Sequence, residues 1–251
     1  MNIRRHVIRP GPLVLALGMT MGGCKPGPIT ILQGHIEAIF SAGTFVRVLE
    51  DTSGSINVGR TGGPNVYDFR NLAFSLAGED SVFSVTDIPQ LAPRYPSHAV
   101  ALREGRDYPV FTFSNQAFAS EGRARITSTA EWYQHKIPAA DYLRFPVRIN
   151  SQFSTTNIVV DTTYVGGTPT TTSSNTDSTT AYVDAYGKLL LPDGLTLEAL
   201  RLRAVGPGDN KSFQFWTREG VVVNVTSRRS QPDTGVVRSG YIIYVSSRPR
   251  N

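Results

Sequence analysis

Residues 181–203, with the sequence AYVDAYGKLLLPDGLTLEALRLR, decide the fold class of this chain. Two apolar runs flank Pro192-Asp193-Gly194, in which proline presets φ and glycine accepts a positive φ, as a tight turn requires. The pattern therefore predicts a β-hairpin. In residues 200–203 (LRLR) the period of two predicts that the leucines face the core and the arginines face solvent.

Outward from this hairpin, short β-branched and aromatic runs are bounded by Gly, Pro, Asn or Asp. They predict strands at residues 44–49, 82–85, 110–113, 145–149, 213–216, 221–226 and 241–246. Helical turns are plausible only at residues 71–76 and 131–137. Residues 31–251 are therefore expected to form one all-β domain, an antiparallel β-sandwich of jelly-roll type.

Residues 151–180 are rich in Thr and Ser. This composition fits either a disordered glycosylated linker or a long exposed hairpin. The apolar residues 158–160 and 164–165 favour the hairpin, because threonine has a high β-propensity and a stalk would not need these apolar side chains.

The net charge of the 251 residues is +5, from 25 basic and 20 acidic side chains. Arg4, Arg5 and Arg9 lie in the first 23 residues, which contain no acid. The remainder is close to neutral. This charge balance argues against a nucleic-acid partner, since such binding depends on a dense basic surface.

The N-terminus has the pattern of an export signal. Residues 1–12 are positive, and residues 13–23 form an apolar run that is too short to span a bilayer. We interpret residues 1–23 as a signal peptide. The protein is therefore expected to be exported.

The chain's single cysteine, Cys24, follows this leader directly. Met21-Gly22-Gly23-Cys24 resembles a bacterial lipobox, in which the cysteine thiol receives a diacylglyceryl group. Cys24 is then the lipidation site, and residues 24–30 form a tether to the membrane at the outer membrane or cell surface. The alternative is ordinary secretory cleavage with Cys24 as a bystander, which would leave the protein periplasmic or extracellular.

Three segments together resemble uncharacterised secreted or lipid-anchored β-sandwich proteins of Bacteroidetes-type bacteria. They are residues 56–72 (INVGRTGGPNVYDFRNL), residues 95–99 (YPSHA), and residues 184–194 (DAYGKLLLPDG) followed by LRLR. Tyr67 stands where these proteins usually have Trp, and Lys188 where they have Thr. Many of them carry a C-terminal sorting domain for type IX secretion, which we do not expect here. The resemblance implies location and architecture, and assigns no residue a role.

Residue patterns typical of catalysis and metal binding are missing from the sequence. His35, His98 and His135 are widely separated, no G-x-S-x-G motif occurs, and the only cysteine is assigned to the anchor. We therefore expect no enzyme, no metal and no cofactor. The acids that could form a carboxylate pair are Glu50-Asp51, Glu79-Asp80, Glu104, Asp107 and Glu131.

Aromatic side chains give the strongest indication of binding. Trp132, Tyr133 and Trp216 could stack on sugar faces if they are exposed, and core packing is the alternative that we favour. Three hypotheses result. The first is an envelope protein with a structural or interaction role, without catalysis, whose partners are the membrane and a glycan or envelope protein. The second is a carbohydrate-binding accessory protein, and the third is a glycoside hydrolase with an unidentified carboxylate pair.

Overall fold

The computed structural model describes residues 27–51 and 54–247. The predicted signal peptide and Cys24 lie outside these residues. The described part is all-β, as predicted, and its elements in chain order are α1 (Gln33–Phe40), β1 (Phe45–Asp51), β2 (Ser55–Asn57), β3 (Gly62–Asp68), β4 (Ser75–Ser84), β5 (Val100–Leu102), β6 (Asp107–Phe113), β7 (Ala117–Ile126), β8 (Ala130–Arg144), β9 (Gln152–Val165), β10 (Thr168–Leu190), β11 (Thr196–Gly206), β12 (Asn210–Thr217), β13 (Val221–Ser227) and β14 (Val236–Ser247).

The strands pair along one continuous path. β1 pairs with β4, the strands from β4 to β14 then follow in sequence order, and β14 pairs with β2. β1 also pairs with β14, so the path folds back towards its start, and β3 joins β10 as a parallel neighbour. The pairings form one large sheet, and the sandwich or jelly-roll arrangement stays a prediction.

The hairpin expected from the sequence is present. β10 and β11 pair antiparallel from Thr180↔Val205 to Leu190↔Thr196, with the predicted tight turn between them. The long hairpin predicted for residues 151–180 is also confirmed, because β9 and β10 pair from Gln152 to Val165. The β10 residues near its tip are exposed.

The prediction that both arginines of LRLR face solvent is wrong for Arg201, which is fully buried. The hairpin is covered on both faces. Leu200 and Leu202 face a first core, whereas Arg201 faces a second core built between β10–β14 and the segment that carries β2 and β3. The alternation of apolar and polar residues along a strand does not show that its second face is also buried, because the residues that bury it lie far away in sequence.

Two other local expectations are also wrong. Residues 145–149, predicted as a strand, form a turn with one isolated bridge between Val147 and Ile31. Residues 71–76 lead into β4 and residues 131–137 lie in β8, so neither is helical.

The helix α1 was not predicted. It buries Ile36, Ile39 and Phe40 on one face, at the spacing of an amphipathic helix. Within the described residues, no helix is both long enough and apolar enough to cross a bilayer.

The first core lies between α1 and the inner face of the sheet. Phe40 stacks on Phe118 with a centroid distance of 5.2 Å, and Phe118 contacts Trp216 edge-on at 6.3 Å. A third core lies under the segment between β4 and β5, where Tyr95 and Tyr133 are buried. At one end, the first core borders a polar cavity.

Candidate functional site

A polar cavity of about 210 Å³ adjoins the first core on the inner face of β8 to β12. Ala181 and Leu202 belong both to that core and to the cavity wall. The polar side chains of the wall come from β8, β9, β10 and β12 and include Lys136, Tyr142, Asn157, Asp177, Ser212 and Gln214, whereas β11 contributes apolar side chains.

Strand register brings these side chains together. Asn157 lies opposite Asp177, and Leu202 lies opposite Gln214. Because successive side chains of a strand alternate between faces, residues two apart on β9, β10, β11 and β12 share the cavity face. The inner face of β9, for example, runs from Phe153 in the first core to Asn157 in the cavity wall. On β8 the register shifts, and the adjacent residues Asp141 and Tyr142 both line the cavity.

Asn157 is the most unusual member of the wall. It is 4% exposed, and within the described part of the chain its Nδ2 has no hydrogen-bond partner. A buried donor without an acceptor costs about 1–3 kcal/mol. This nitrogen has almost no accessible surface, so it is shielded from the cavity that the residue lines. Asn157 therefore marks a destabilising polar position in the cavity wall.

Lys136 is the cation of the cavity. Burial lowers the pKa of its ammonium group, and the negative charge of Asp177 opposes this shift. The ion pairs found among the described residues do not include Lys136, and its Nζ lies 5.9 Å from the ring centroid of Tyr142. A desolvated cation without an ion pair is unfavourable for stability and available to a ligand.

Tyr142 supplies an aromatic surface beside Lys136. The residue is 38% exposed although its ring contacts Phe111 and Phe118 at 5.9 and 5.8 Å. Burial of the hydroxyl raises the pKa of Tyr142, and the carboxylates of Glu104 and Asp177 add to the shift. The phenol therefore stays neutral at physiological pH and can both donate and accept a hydrogen bond.

Trp216 orients Gln214. The indole Nε1 donates to Oε1 of Gln214 at 2.9 Å, and an indole nitrogen can only donate. This contact assigns the carbonyl oxygen of Gln214 to the side of the indole and leaves its amide NH₂ for other partners. Trp216 itself is 5% exposed and its ring packs in the first core, so of the two alternatives given by the sequence it takes core packing.

The other two predicted aromatic residues lie on opposite faces of β8. Tyr133 is buried in the third core and its hydroxyl donates to Glu131, so the condition of exposure for stacking on a ligand is not met. Trp132 is half-buried. It lies on the same face of β8 as Lys136, four residues and therefore about 13 Å away. Of the three predicted rings, Trp132 alone remains a candidate for ligand contact.

The acids proposed from the sequence have partners of their own. Asp107 binds Arg125 at 2.8 Å, and although burial alone would raise its pKa, Arg125 and Arg123 lower it. Asp51 accepts the backbone N–H of Ala73. The side chains of Glu79 and Asp80 lie outside the described set.

Two carboxylates that the sequence did not single out share the cavity. They are Asp141 and Asp177, and Oδ2 of Asp141 is held by Arg144 at 2.7 Å. Within residues 27–51 and 54–247, no group of three or more His, Cys, Asp or Glu side chains could hold a metal ion.

Two of the three family-like segments form one structural unit. β3 and β10 run parallel, with Asn65 beside Gly187. The Asn65 amide binds the carbonyl oxygens of Arg60, Gly62 and Tyr186. An apolar pocket of about 320 Å³ lies here, and its walls give no chemical indication of an occupant. These segments therefore hold the fold together, and the polar cavity remains the candidate site.

Comparisons of this chain with protein-family models, with curated proteins and with solved structures found no match.

Proposed function

We propose that this chain is a non-catalytic binding protein of the bacterial cell envelope, exported by residues 1–23 and anchored by lipid on Cys24. The observation that carries the binding role is the polar cavity with Asn157 and Lys136 in its wall. Both side chains lower the stability of the fold, and residues that lower stability in a concave site are typical of binding sites.

The charge state of the carboxylates supports a role without catalysis. A general acid at neutral pH needs a carboxyl group whose pKa is raised. Among the described residues, the carboxylates with a shifted pKa are Asp68, Asp107 and Asp233, and basic neighbours lower the pKa of each. These acids remain ionised and suit ion pairs better than proton donation.

The alternative of a glycoside hydrolase has one observation in its favour, the presence of Asp141 and Asp177 in one cavity. Incubation of the purified protein with a panel of aryl glycosides and oligosaccharides separates the two functions. We expect no turnover above that of an Asp177→Asn variant. Turnover that is lost in Asp177→Asn would replace the binding role by hydrolysis.

The envelope location is tested by labelling. A bacterial host that expresses the full chain is grown with an alkyne fatty acid, and the mature N-terminus is analysed by mass spectrometry. We expect a lipid-modified Cys24 in the wild type and no label in Cys24→Ala. An unmodified N-terminus at another residue would overturn the anchor while leaving the binding role open.

A further inference from the structure

We infer that the polar cavity binds a neutral sugar, as a single pyranose ring that is either free or the end of a glycan. This inference rests on the proposed binding function and specifies its ligand. The site differs from the exposed aromatic strip expected from the sequence, because the cavity lies inside the sheet beside the first core.

The charges of the wall favour a ligand without net charge. Lys136 and Asp177 contribute one charge of each sign, and Asp141 is paired with Arg144. The cavity is therefore electrically balanced. An anion would face Asp177 and a cation would face Lys136, and either would lose hydration without a full counter-charge.

The hydrogen-bonding groups match a polyol. Gln214 and Lys136 supply N–H donors, Asp177 supplies acceptor oxygens, Asn157 adds an amide group and Ser212 adds a hydroxyl. Every sugar hydroxyl donates one hydrogen bond and accepts others, so it can pair with both kinds of group.

The remaining wall is apolar and fits the C–H face of a sugar ring. Tyr142 offers part of its ring to the cavity, and Ala181 and Leu202 continue the apolar surface from the first core. Aromatic rings give flat apolar contact at low entropy cost. A sugar has both hydroxyl and C–H groups to match these two kinds of wall, whereas a small ion has no C–H face.

The size of the cavity limits the ligand. Its volume of about 210 Å³ is below the range of roughly 300–1,000 Å³ that is usual for drug-sized ligands. One ring therefore fits inside. Trp132 lies on the same face of β8, about 13 Å from Lys136 by strand geometry, where it can contact a second ring of a longer glycan.

The inference is tested by calorimetric titration of the detergent-solubilised full chain. The ligand panel contains glucose, galactose, mannose and N-acetylglucosamine, together with glucuronic acid, glucosamine and glutamine as charged or zwitterionic competitors. Binding of the oligosaccharide of the best sugar is compared for the wild type and Trp132→Ala. If a glycan end is the ligand, only the oligosaccharide loses affinity in that variant.

Asn157→Leu is the decisive variant, and Thr172→Val on the exposed part of β10 is its control. We expect a neutral sugar to bind the wild type and the control equally, and Asn157→Leu about tenfold more weakly. Urea unfolding of each variant shows that the folds are intact, and Asn157→Leu is not expected to lower the midpoint because it removes an unsatisfied donor.

The outcomes distinguish failure of the sugar inference from failure of the binding function. Preference for glucuronic acid, glucosamine or glutamine, with the same loss in Asn157→Leu, would overturn the neutral sugar and keep the binding function. No heat with any ligand of the panel would overturn the sugar inference. If Asn157→Leu and Lys136→Met then also leave binding of every compound in a broad polar library unchanged, the binding function itself is overturned.

Discussion

The Asp184 carboxylate neutralises a fully buried guanidinium, and its removal is the most sensitive test of the packing described above. Asp184 Oδ1 accepts from Nε of Arg201 at 2.9 Å, and its Oδ2 accepts from Nε of Arg203 at 3.0 Å. Arg201 has no exposed surface, and its Nη1 also donates to the carbonyl oxygen of Val58 at 2.7 Å. The pair thereby fastens β11 to the segment that carries β2 and β3.

Asp184→Asn keeps the size of the side chain and removes its charge. Arg201 then retains the carbonyl of Val58 but no counter-charge, whereas Arg203 keeps Asp233 at 3.3 Å. Removal of one partner from a buried ion pair costs about 3–5 kcal/mol. Against a typical stability of about 5–15 kcal/mol, this is a large fraction of the free energy of unfolding.

Urea unfolding measures this loss. With an m-value of about 3 kcal/mol/M, a cost of 3–5 kcal/mol lowers the midpoint by about 1–2 M and leaves m unchanged. Asp68→Asn is the control, because Asp68 pairs with Arg70 in an exposed ion pair and its loss should leave the midpoint within error. If Asp184→Asn shifts the midpoint as little as Asp68→Asn does, Arg201 is not buried as described.

Three further results are expected. Gly187→Ala should lower the free energy of unfolding by about 1–3 kcal/mol, and the urea midpoint with it, because its Cβ would overlap a backbone carbonyl of β3. Gly34→Ala in α1 has open space and should be neutral or stabilising; equal midpoints would contradict the close approach of β3 to β10. Lys136→Met should raise the urea midpoint at pH 7, because it removes a desolvated ammonium group. Between the lowered pKa of Lys136 in the folded chain and the ordinary 10.5, the unfolded chain binds more protons than the folded chain, so the wild-type free energy of unfolding should rise with pH. A fall in either measurement would contradict a desolvated ammonium group. An NMR titration should give Asp68 a pKa slightly below the ordinary 3.8 that returns towards it in Arg70→Gln, because the hydrogen bonds from Arg70 lower the pKa and solvent screens this exposed pair; an unchanged value would contradict that contact.

Local patterns were sufficient for the hairpins. The alternation in residues 181–203 and the turn at Pro192-Asp193-Gly194 predicted β10 and β11, and the apolar residues within 151–180 predicted the β9–β10 hairpin. The same patterns failed where distant parts of the chain decide the outcome. Arg201 resembles a solvent-facing residue until β2 and β3 are known to cover it.

The candidate site could not be predicted for a related reason. Lys136, Asn157 and Gln214 lie on three strands, and only the pairing of β8 through β12 brings them to one cavity. One indication was present in the sequence. Asn157 shares its strand face with Phe153, and a polar residue in phase with a core residue marks a buried polar position. Trp216, named from the sequence as either a ligand contact or a core residue, packs in the core, and its indole donates to Gln214 in the cavity wall.

The side-chain amide resonances of Asn157 and Gln214 give the most direct measurement of the polar cavity as a ligand site. The full chain, labelled with ¹⁵N, is titrated with the neutral monosaccharide that binds best, and the NH₂ signals are assigned by Asn157→Leu and Gln214→Leu. We expect both signals to shift together with the same dissociation constant as the calorimetric titration. Signals that stay fixed while resonances elsewhere on the surface shift would contradict a ligand site inside the sheet.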